Sequence, residues 1–161
     1  MKSKVLFFTL LLFFSITTSN FLQAQTTHTI WLDVNTAEVS NSNTSTTCTF
    51  GQASGISNED YTQVVAPGDI VVWRGRSSSS DLDEVMITSI NYHGGDNVFG
   101  ANTLKDDQVE GVVIGEVQPN TTGQEEKYTI KFKVKNNGQR RNGTFQIDPK
   151  IQVRTPSISE D

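Results

Sequence analysis

The sequence predicts an all-β fold, organised as a single antiparallel β-sandwich. Short segments of alternating apolar and polar residues recur along the chain, and glycine, proline and asparagine separate them. No stretch keeps a 3.6-residue apolar period over three helical turns. About seven short strands without an internal repeat are typical of one sandwich domain.

The clearest strands lie near the C-terminus. Every second residue is apolar in KYTIKFKV (127–134) and in TFQIDPKIQV (144–153), which gives each strand one dry face. Two Asn-Gly pairs lie between them in NNGQRRNG (136–143) and supply the positive φ angles that a chain reversal needs. We therefore predict an antiparallel hairpin. Pro149 lacks an amide proton, so we expect it at an edge or where the ladder is interrupted.

The N-terminal half begins with a predicted strand over THTIWLDV (27–34), where Trp31 lies opposite the apolar face. Residues 35–47 are small and polar, which predicts a loop. A short strand is expected within CTFGQ (48–52). A Pro-Gly turn then leads into an apolar strand over residues 69–73, of the kind that is covered on both faces.

The following segments are shorter. We predict a loop over residues 76–81 and an alternating strand over 85–93, with Met86 and Tyr92 on the same face. Gly94 begins a turn, and an irregular stretch follows it. Residues 109–117 then predict one or two strands, broken by glycines where a bulge or a close approach is expected.

The N-terminus predicts an export signal over residues 1–24. A lysine-containing head precedes an apolar run over residues 5–14, and Ala24 ends the segment. An uncleaved N-terminal anchor is the alternative. We expect a secreted or periplasmic protein with no membrane span after signal removal. The predicted organisation is a signal peptide at 1–24, a sandwich domain at 25–153 and a disordered tail at 154–161.

The charge balance excludes some partners. The full chain has a net charge of −5, and removing two lysines and no acids with residues 1–24 gives −7. An acidic chain does not suit nucleic acid. The basic residues cluster on the hairpin, and we interpret them as a solvated strand face whose lysines discourage edge pairing. These residues are Lys131, Lys133, Lys135, Arg140 and Arg141.

Cys48 is the single cysteine of the chain, so no intramolecular disulfide can form. A chain of about 135 residues is long enough to stabilise one domain by burial alone. We interpret Cys48 as a small buried apolar residue, with a reactive thiol as the alternative.

Two segments resemble cupredoxin-like domains. These are VVAPGDIVVW (64–73), with its Gly-Asp turn before an apolar strand, and IDPKIQV (147–153), which is similar to the closing strand of such proteins. The resemblance covers about half of the mature chain and implies a cupredoxin-like sandwich, with an immunoglobulin-like Greek key as the alternative. Metal-binding members of the family hold copper through two histidines, a cysteine and a methionine. The corresponding loop here, residues 136–142, contains none of them, which implies a member without the usual ligands and without a cofactor.

Copper nevertheless stays open as an alternative, because strands distant in sequence can converge. The candidate ligands are His93, His28, Met86 and Cys48. Calcium would need six or more converging oxygens, and no Asp-x-Asp-x-Asp-Gly loop is present. We interpret the acidic residues of the loops as a solvated rim. They are Asp81, Asp83, Glu84, Asp96, Asp106 and Asp107.

The sequence predicts no enzyme. It contains no Gly-x-Ser-x-Gly and no His-Glu-x-x-His motif, and no catalytic residues can be named. Trp31 and Tyr92 are the candidate ligand-binding residues, since an exposed aromatic ring on a sandwich can contact a sugar or an apolar partner. We expect an exported, non-catalytic, metal-free protein with a binding or structural role toward a protein or glycan partner. The alternatives are a copper-binding protein and a carbohydrate-binding module.

Overall fold

The computed structural model describes residues 25–155. The predicted signal peptide lies outside the described residues, as does the predicted tail beyond its first two residues. In chain order the elements are β1 (Thr27–Val34), α1 (Thr44–Thr47), β2 (Cys48–Thr49), β3 (Thr62–Val65), β4 (Ile70–Ser77), β5 (Glu84–Gly95), β6 (Thr103–Lys105), β7 (Val112–Glu116), β8 (Glu125–Asn136), β9 (Gln139–Arg140), β10 (Phe145–Ile147) and β11 (Lys150–Val153). No helix in this part of the chain is long and apolar enough to span a bilayer.

The strands form two sheets that pack face to face, which confirms the predicted all-β sandwich. Sheet A has the order β2-β1-β4-β7. Sheet B has the order β3-β11-β8-β5-β6, and β9 and β10 also pair with β8. The prediction of an antiparallel sandwich is only partly correct. β1 pairs in parallel with β4, and β3 pairs in parallel with β11. Long stretches of chain separate the members of these pairs, as parallel pairing requires.

The core lies between the sheets and is centred on Trp73 of β4, which is fully buried. Its indole nitrogen donates a hydrogen bond of 3.2 Å to the hydroxyl of Tyr128 on β8. The rings of Phe99 and Tyr128 meet the indole edge-on, at centroid distances of 5.2 and 5.7 Å. The alternating pattern of β1 supplies Ile30 and Leu32 to the same core. One hydrophobic cluster therefore joins both sheets.

The predicted C-terminal hairpin is confirmed. β8 reverses at Asn137 and Gly138, which both have positive φ, and then pairs in antiparallel fashion with β9, β10 and β11. Pro149 lies between β10 and β11, where the ladder is interrupted as predicted. Its carbonyl oxygen accepts a hydrogen bond of 3.2 Å from the Tyr128 amide.

β8 is an interior strand of sheet B, with β11 on one side and β5 on the other. The prediction that its lysines discourage edge pairing is therefore wrong, because this strand presents no edge. The sequence did not reveal that β8 lies inside the sheet. Alternation along one strand shows which face is buried but does not show which strands are its neighbours.

A β-bulge in β5 alters the faces that the alternation predicted. The register with β8 shifts between Ile87 and Ser89, so Val85, Ile87 and Ile90 are all buried. A bulge inserts one residue and reverses the phase of the side chains that follow. For this reason Met86 and Tyr92 lie on opposite faces, in register with the outward Lys133 and the buried Tyr128, although the sequence predicts them on one face.

Glu126 is a carboxylic acid buried in the core at the start of β8. A carboxylate oxygen accepts a hydrogen bond of 2.7 Å from the Val98 amide. Burial raises the pKa of Glu126 to about 7, and the hydrogen bonds from the Val98 and Phe99 amides offset only part of that effect. This carboxyl group fastens the segment that carries Phe99 against sheet B.

We expect Glu126 to make stability fall as pH rises from about 4.5 to about 7. In that window the folded state keeps a proton that the unfolded chain has released, so the free energy of unfolding decreases with pH. Urea unfolding across this range should show the slope in the native protein and a smaller slope in Glu126→Gln. Glu125→Gln, on the outer face of the same strand, is the control. An unchanged slope in Glu126→Gln would contradict the assignment.

Candidate binding groove

A groove lies where β4, the start of β5 and the loop before β7 meet. It is open to solvent and has a volume of about 460 Å³. Both charged and apolar side chains line it. The lining includes Trp31, Arg74, Arg76, Asp81, Glu84, Met86, Glu110 and Val112. We call it the Trp31 groove.

Trp31 lies on the outer face of sheet A, and 39% of its surface is exposed. In the parallel pairing of β1 with β4, Trp31 is opposite Arg74 and Asp33 is opposite Arg76. The guanidinium carbon of Arg76 lies 5.2 Å from the Trp31 ring centroid, within the range of a cation–π contact. Both carboxylate oxygens of Asp33 accept hydrogen bonds from Arg76, one of them at 3.0 Å from Nη2. The Arg76 side chain is therefore held over the indole ring.

Asp83 fastens the loop that forms one wall of the groove. Its carboxylate accepts hydrogen bonds from the Thr36 hydroxyl, from Asn136 Nδ2 at 2.7 Å and from the Asn137 amide at 2.9 Å. The bond from Thr36 contributes most to holding the pKa of Asp83 below its usual value. Asp83 was predicted to belong to a solvated acidic rim, but it is buried and tied to two other segments, at Thr36 and at Asn136–Asn137.

Two exposed apolar residues lie beside residues that line the groove. Leu82 is 88% exposed between Asp81 and Asp83, and Val109 is 52% exposed next to Glu110. Large apolar side chains at loop tips cost solvation free energy, and contact with a partner removes that cost. The groove therefore combines an aromatic side chain, charges of both signs and apolar residues on the adjoining loops.

The structure separates the two predicted ligand-binding residues. Trp31 lines the groove, whereas Tyr92 lies on β5 near the far end of sheet B. Tyr92 is 37% exposed, and its hydroxyl donates a hydrogen bond of 2.7 Å to the Gly95 carbonyl. Tyr92 thus braces the turn after β5 and has no place in the Trp31 groove.

His28 serves as a structural partner of Asp69. The imidazole Nε2 lies 2.8 Å from the buried Asp69 carboxylate, which also accepts bonds from the amides of Thr26 and Ala66. Burial opposes ionisation of Asp69, but these hydrogen bonds outweigh it and hold the pKa of Asp69 below its usual value. The Gly-Asp turn therefore ties the start of β1 to the start of β4.

The other predicted metal ligands lie apart. His93 contacts the Thr129 hydroxyl at 3.3 Å and the Asp148 carboxylate at 3.7 Å, on the outer face of sheet B. Met86 is seven residues away on the same strand, about 23 Å along it. Cys48 is opposite Val34, about 20 Å along β1 from His28. Among residues 25–155, no group of three His, Cys, Asp or Glu side chains is placed to hold a metal ion.

The Cys48 thiol is buried, and burial raises its pKa to about 11. A thiol with this pKa stays protonated at neutral pH, and a protonated thiol is a poor nucleophile and a poor metal ligand. The side chain packs in the hydrophobic cluster between the sheets.

Sequence reasoning missed the functions of Asp69, Asp83 and Glu126. Each is a buried carboxylate that accepts backbone amides from a segment distant in sequence. The Gly-Asp turn was a usable signal for Asp69, because aspartate often bonds backbone amides in turns. Nothing local marks the other two residues.

Comparisons with known proteins bear on the fold. No protein-family model matches the chain, and no curated protein matches it. The structure is similar to the crystal structure of the inclusion body protein PixA from Burkholderia cenocepacia J2315, with a TM-score of 0.57. The two sequences are 16% identical, and the match covers 83% of this chain and 98% of that one. At this identity the likeness shows a shared all-β sandwich fold.

We expect no stoichiometric copper binding, because the candidate ligands do not converge. Titration of the purified protein with Cu(I) and Cu(II) should leave its melting temperature unchanged, since an ion that binds only the folded state would raise it. The opposite result, a shift of several degrees that His93→Ala removes, would show that a copper site exists.

Proposed function

We propose that this chain is an exported, non-catalytic and metal-free β-sandwich module that binds a protein partner through the Trp31 groove. The observation that carries the proposal is the exposed indole of Trp31, held under Arg76 in the Trp31 groove. Tryptophan and arginine are the residues that most often dominate the energetics of protein interfaces.

The preorganisation of the groove supports a binding role. Asp33 holds Arg76, and Asp83 holds the loop that carries Leu82, so little side-chain or loop entropy is lost on binding. The exposed Leu82 and Val109 favour a protein over a small polar ligand, because burial of their apolar surface contributes to affinity.

The titratable groups of the groove support a non-catalytic role. Asp83 is occupied by three hydrogen bonds that keep it ionised, which makes it a poor proton donor or acceptor at neutral pH. Glu126 has a pKa of about 7, in the range of a general base, but it is buried in the core beside Val98 and does not line the groove.

The export part of the proposal rests on the N-terminal pattern of residues 1–24. We expect the protein recovered after expression of the full chain to begin at Gln25, because a signal peptidase would cut after Ala24. Mass spectrometry of protein from outside the cytoplasm checks this. Recovery of the uncut chain from the cytoplasm alone would contradict it.

A glycan is the second candidate ligand, and the exposed indole is the observation in its favour. Sugar rings stack on an open aromatic face. Arg76 already lies over the Trp31 ring, so a sugar would have to use the opposite face or displace the guanidinium group. This competition makes a protein partner the better candidate.

Trp31→Ala should strongly weaken partner binding without unfolding the protein. Loss of a tryptophan at the centre of an interface lowers affinity by about thirtyfold or more. The measurement is quantitative recovery of envelope proteins on the immobilised native protein and on the variant, with the same preparations applied to a glycan array. Melting temperatures establish that both are folded.

Tyr92→Ala is the matched control, because it removes an exposed aromatic side chain of similar accessibility outside the groove. A protein retained by the native chain and by Tyr92→Ala, and lost with Trp31→Ala, supports the proposal. Equal retention by all three would refute it, and binding to glycans alone would favour the second candidate.

A further inference from the structure

All six lysines of the described residues lie on the outer face of sheet B. Lys127, Lys131, Lys133 and Lys135 occupy alternate positions of β8, opposite its buried side chains. Lys105 of β6 is in register with Ser89, which is in register with Lys131. Lys150 of β11 is in register with Lys127. We call this surface, defined by the six lysines, the lysine face.

The lysine face is unexpected on this molecule. The chain carries 18 acidic and 13 basic residues, so a random distribution would not gather every lysine of the described part on one sheet. Protection of an edge strand does not explain it, since β8 is an interior strand. Mutual repulsion of like charges on neighbouring positions costs stability, which favours a function that needs them.

The centre of the lysine face is not neutralised. At one end Lys135 Nζ lies 2.7 Å from Glu84, and at the other Lys150 Nζ lies 3.4 Å from Asp60. Lys105, Lys131 and Lys133 have no carboxylate within 4.0 Å among residues 25–155. Three ammonium groups without a carboxylate partner therefore extend from the edge strand β6 to the interior strand β8.

The spacing of these three lysines suits a linear polymer that carries negative charges at intervals of similar length. Lys131 and Lys133 are about 7 Å apart along β8, and Lys105 lies about 10 Å from Lys131 across two strand spacings. Neutral polar residues flank Lys131 on both sides, because Ser89 of β5 and Gln146 of β10 are in register with it. Amide and hydroxyl groups of this kind can hydrogen-bond sugar hydroxyls.

We propose that the lysine face binds a linear acidic polysaccharide, with carboxylate or sulfate groups on Lys105, Lys131 and Lys133. This surface adjoins the Trp31 groove, because Glu84 lines the groove and pairs with Lys135, and it extends the proposed function to a second ligand. Nucleic acid fits less well, because no exposed large aromatic side chain of the described residues lies beside these lysines to stack with bases. A flexible polysaccharide can also follow the lysine face without approaching the acidic residues elsewhere on the surface.

The test compares two acidic polysaccharides with a neutral one, and dextran sulfate and dextran share the same backbone. Protein produced from the full 161-residue chain is titrated calorimetrically with dextran sulfate, with polygalacturonate and with unmodified dextran at low salt. We expect both charged polymers to bind, unmodified dextran not to bind, and affinity to fall as salt screens the charges. Absence of binding to both charged polymers overturns the proposal.

A pair of charge-matched double variants locates the site. Lys131→Gln with Lys133→Gln should weaken binding about thirtyfold, at about fivefold for each lysine near an anionic surface. Arg74→Gln with Arg76→Gln makes the same change of charge on the outer face of sheet A, away from the lysine face, and should weaken binding less than about threefold. Melting temperatures of both variants establish folding.

Three other results would overturn the assignment. Equal losses in the two double variants would mean that net charge alone attracts the polymer. A loss confined to the arginine variant would place the polymer at the Trp31 groove, which leaves the proposed groove function standing. Tighter binding of single-stranded DNA than of either polymer, or lysine-dependent self-association in sedimentation, would identify a different occupant.

Discussion

The hydrogen bond between the Trp73 indole and the Tyr128 hydroxyl lies between the two sheets, and the arrangement of the core depends on it. Both side chains are fully buried. Each would lose its bond to water on burial, so the pairing satisfies a donor and an acceptor in one contact. Burial also raises the pKa of Tyr128, which keeps the hydroxyl protonated. The edge-on packing of Phe99 against Trp73 then fixes how closely the sheets approach.

Around this core the molecule uses buried carboxylates to fasten its connections. Asp69 joins the start of β1 to the turn before β4, and Glu126 joins β8 to the segment before β6. Asp83 joins three loops at the end where the Trp31 groove opens. The single cysteine cannot form an intramolecular disulfide, so these hydrogen bonds are what restricts the motion of the loops. Small secreted domains often use disulfides for this purpose. The rigidity of the groove is a consequence.

Alternation along single strands made part of this structure predictable. β1 was predicted with its observed bounds, and the C-terminal hairpin with its interruption at Pro149 was also predicted. Each of these strands has one buried face, so the local alternation of apolar and polar residues is enough to place it. The exposure of Trp31 followed from the same pattern, since it lies opposite the apolar residues of β1.

What escaped prediction depends on which strands become neighbours. The bulge in β5, the three-residue β6 and the two parallel pairings leave no local pattern. The lysines of β8 were recognised on one strand, but their convergence with Lys105 and Lys150 requires the strand order of sheet B. The carboxylate contacts of Asp83 and Glu126 likewise join segments far apart in sequence.

The parallel pairing of β3 with β11 has a consequence for how the chain acquires its structure. β11 lies between β3 and β8, so sheet B lacks an internal strand until residues 150–153 are present. Contacts between segments this distant in sequence form slowly, because a long loop must close first. A nascent chain would therefore keep sheet B incomplete until residues 150–153 had been synthesised. Until then the chain would remain unfolded enough to pass through a narrow pore.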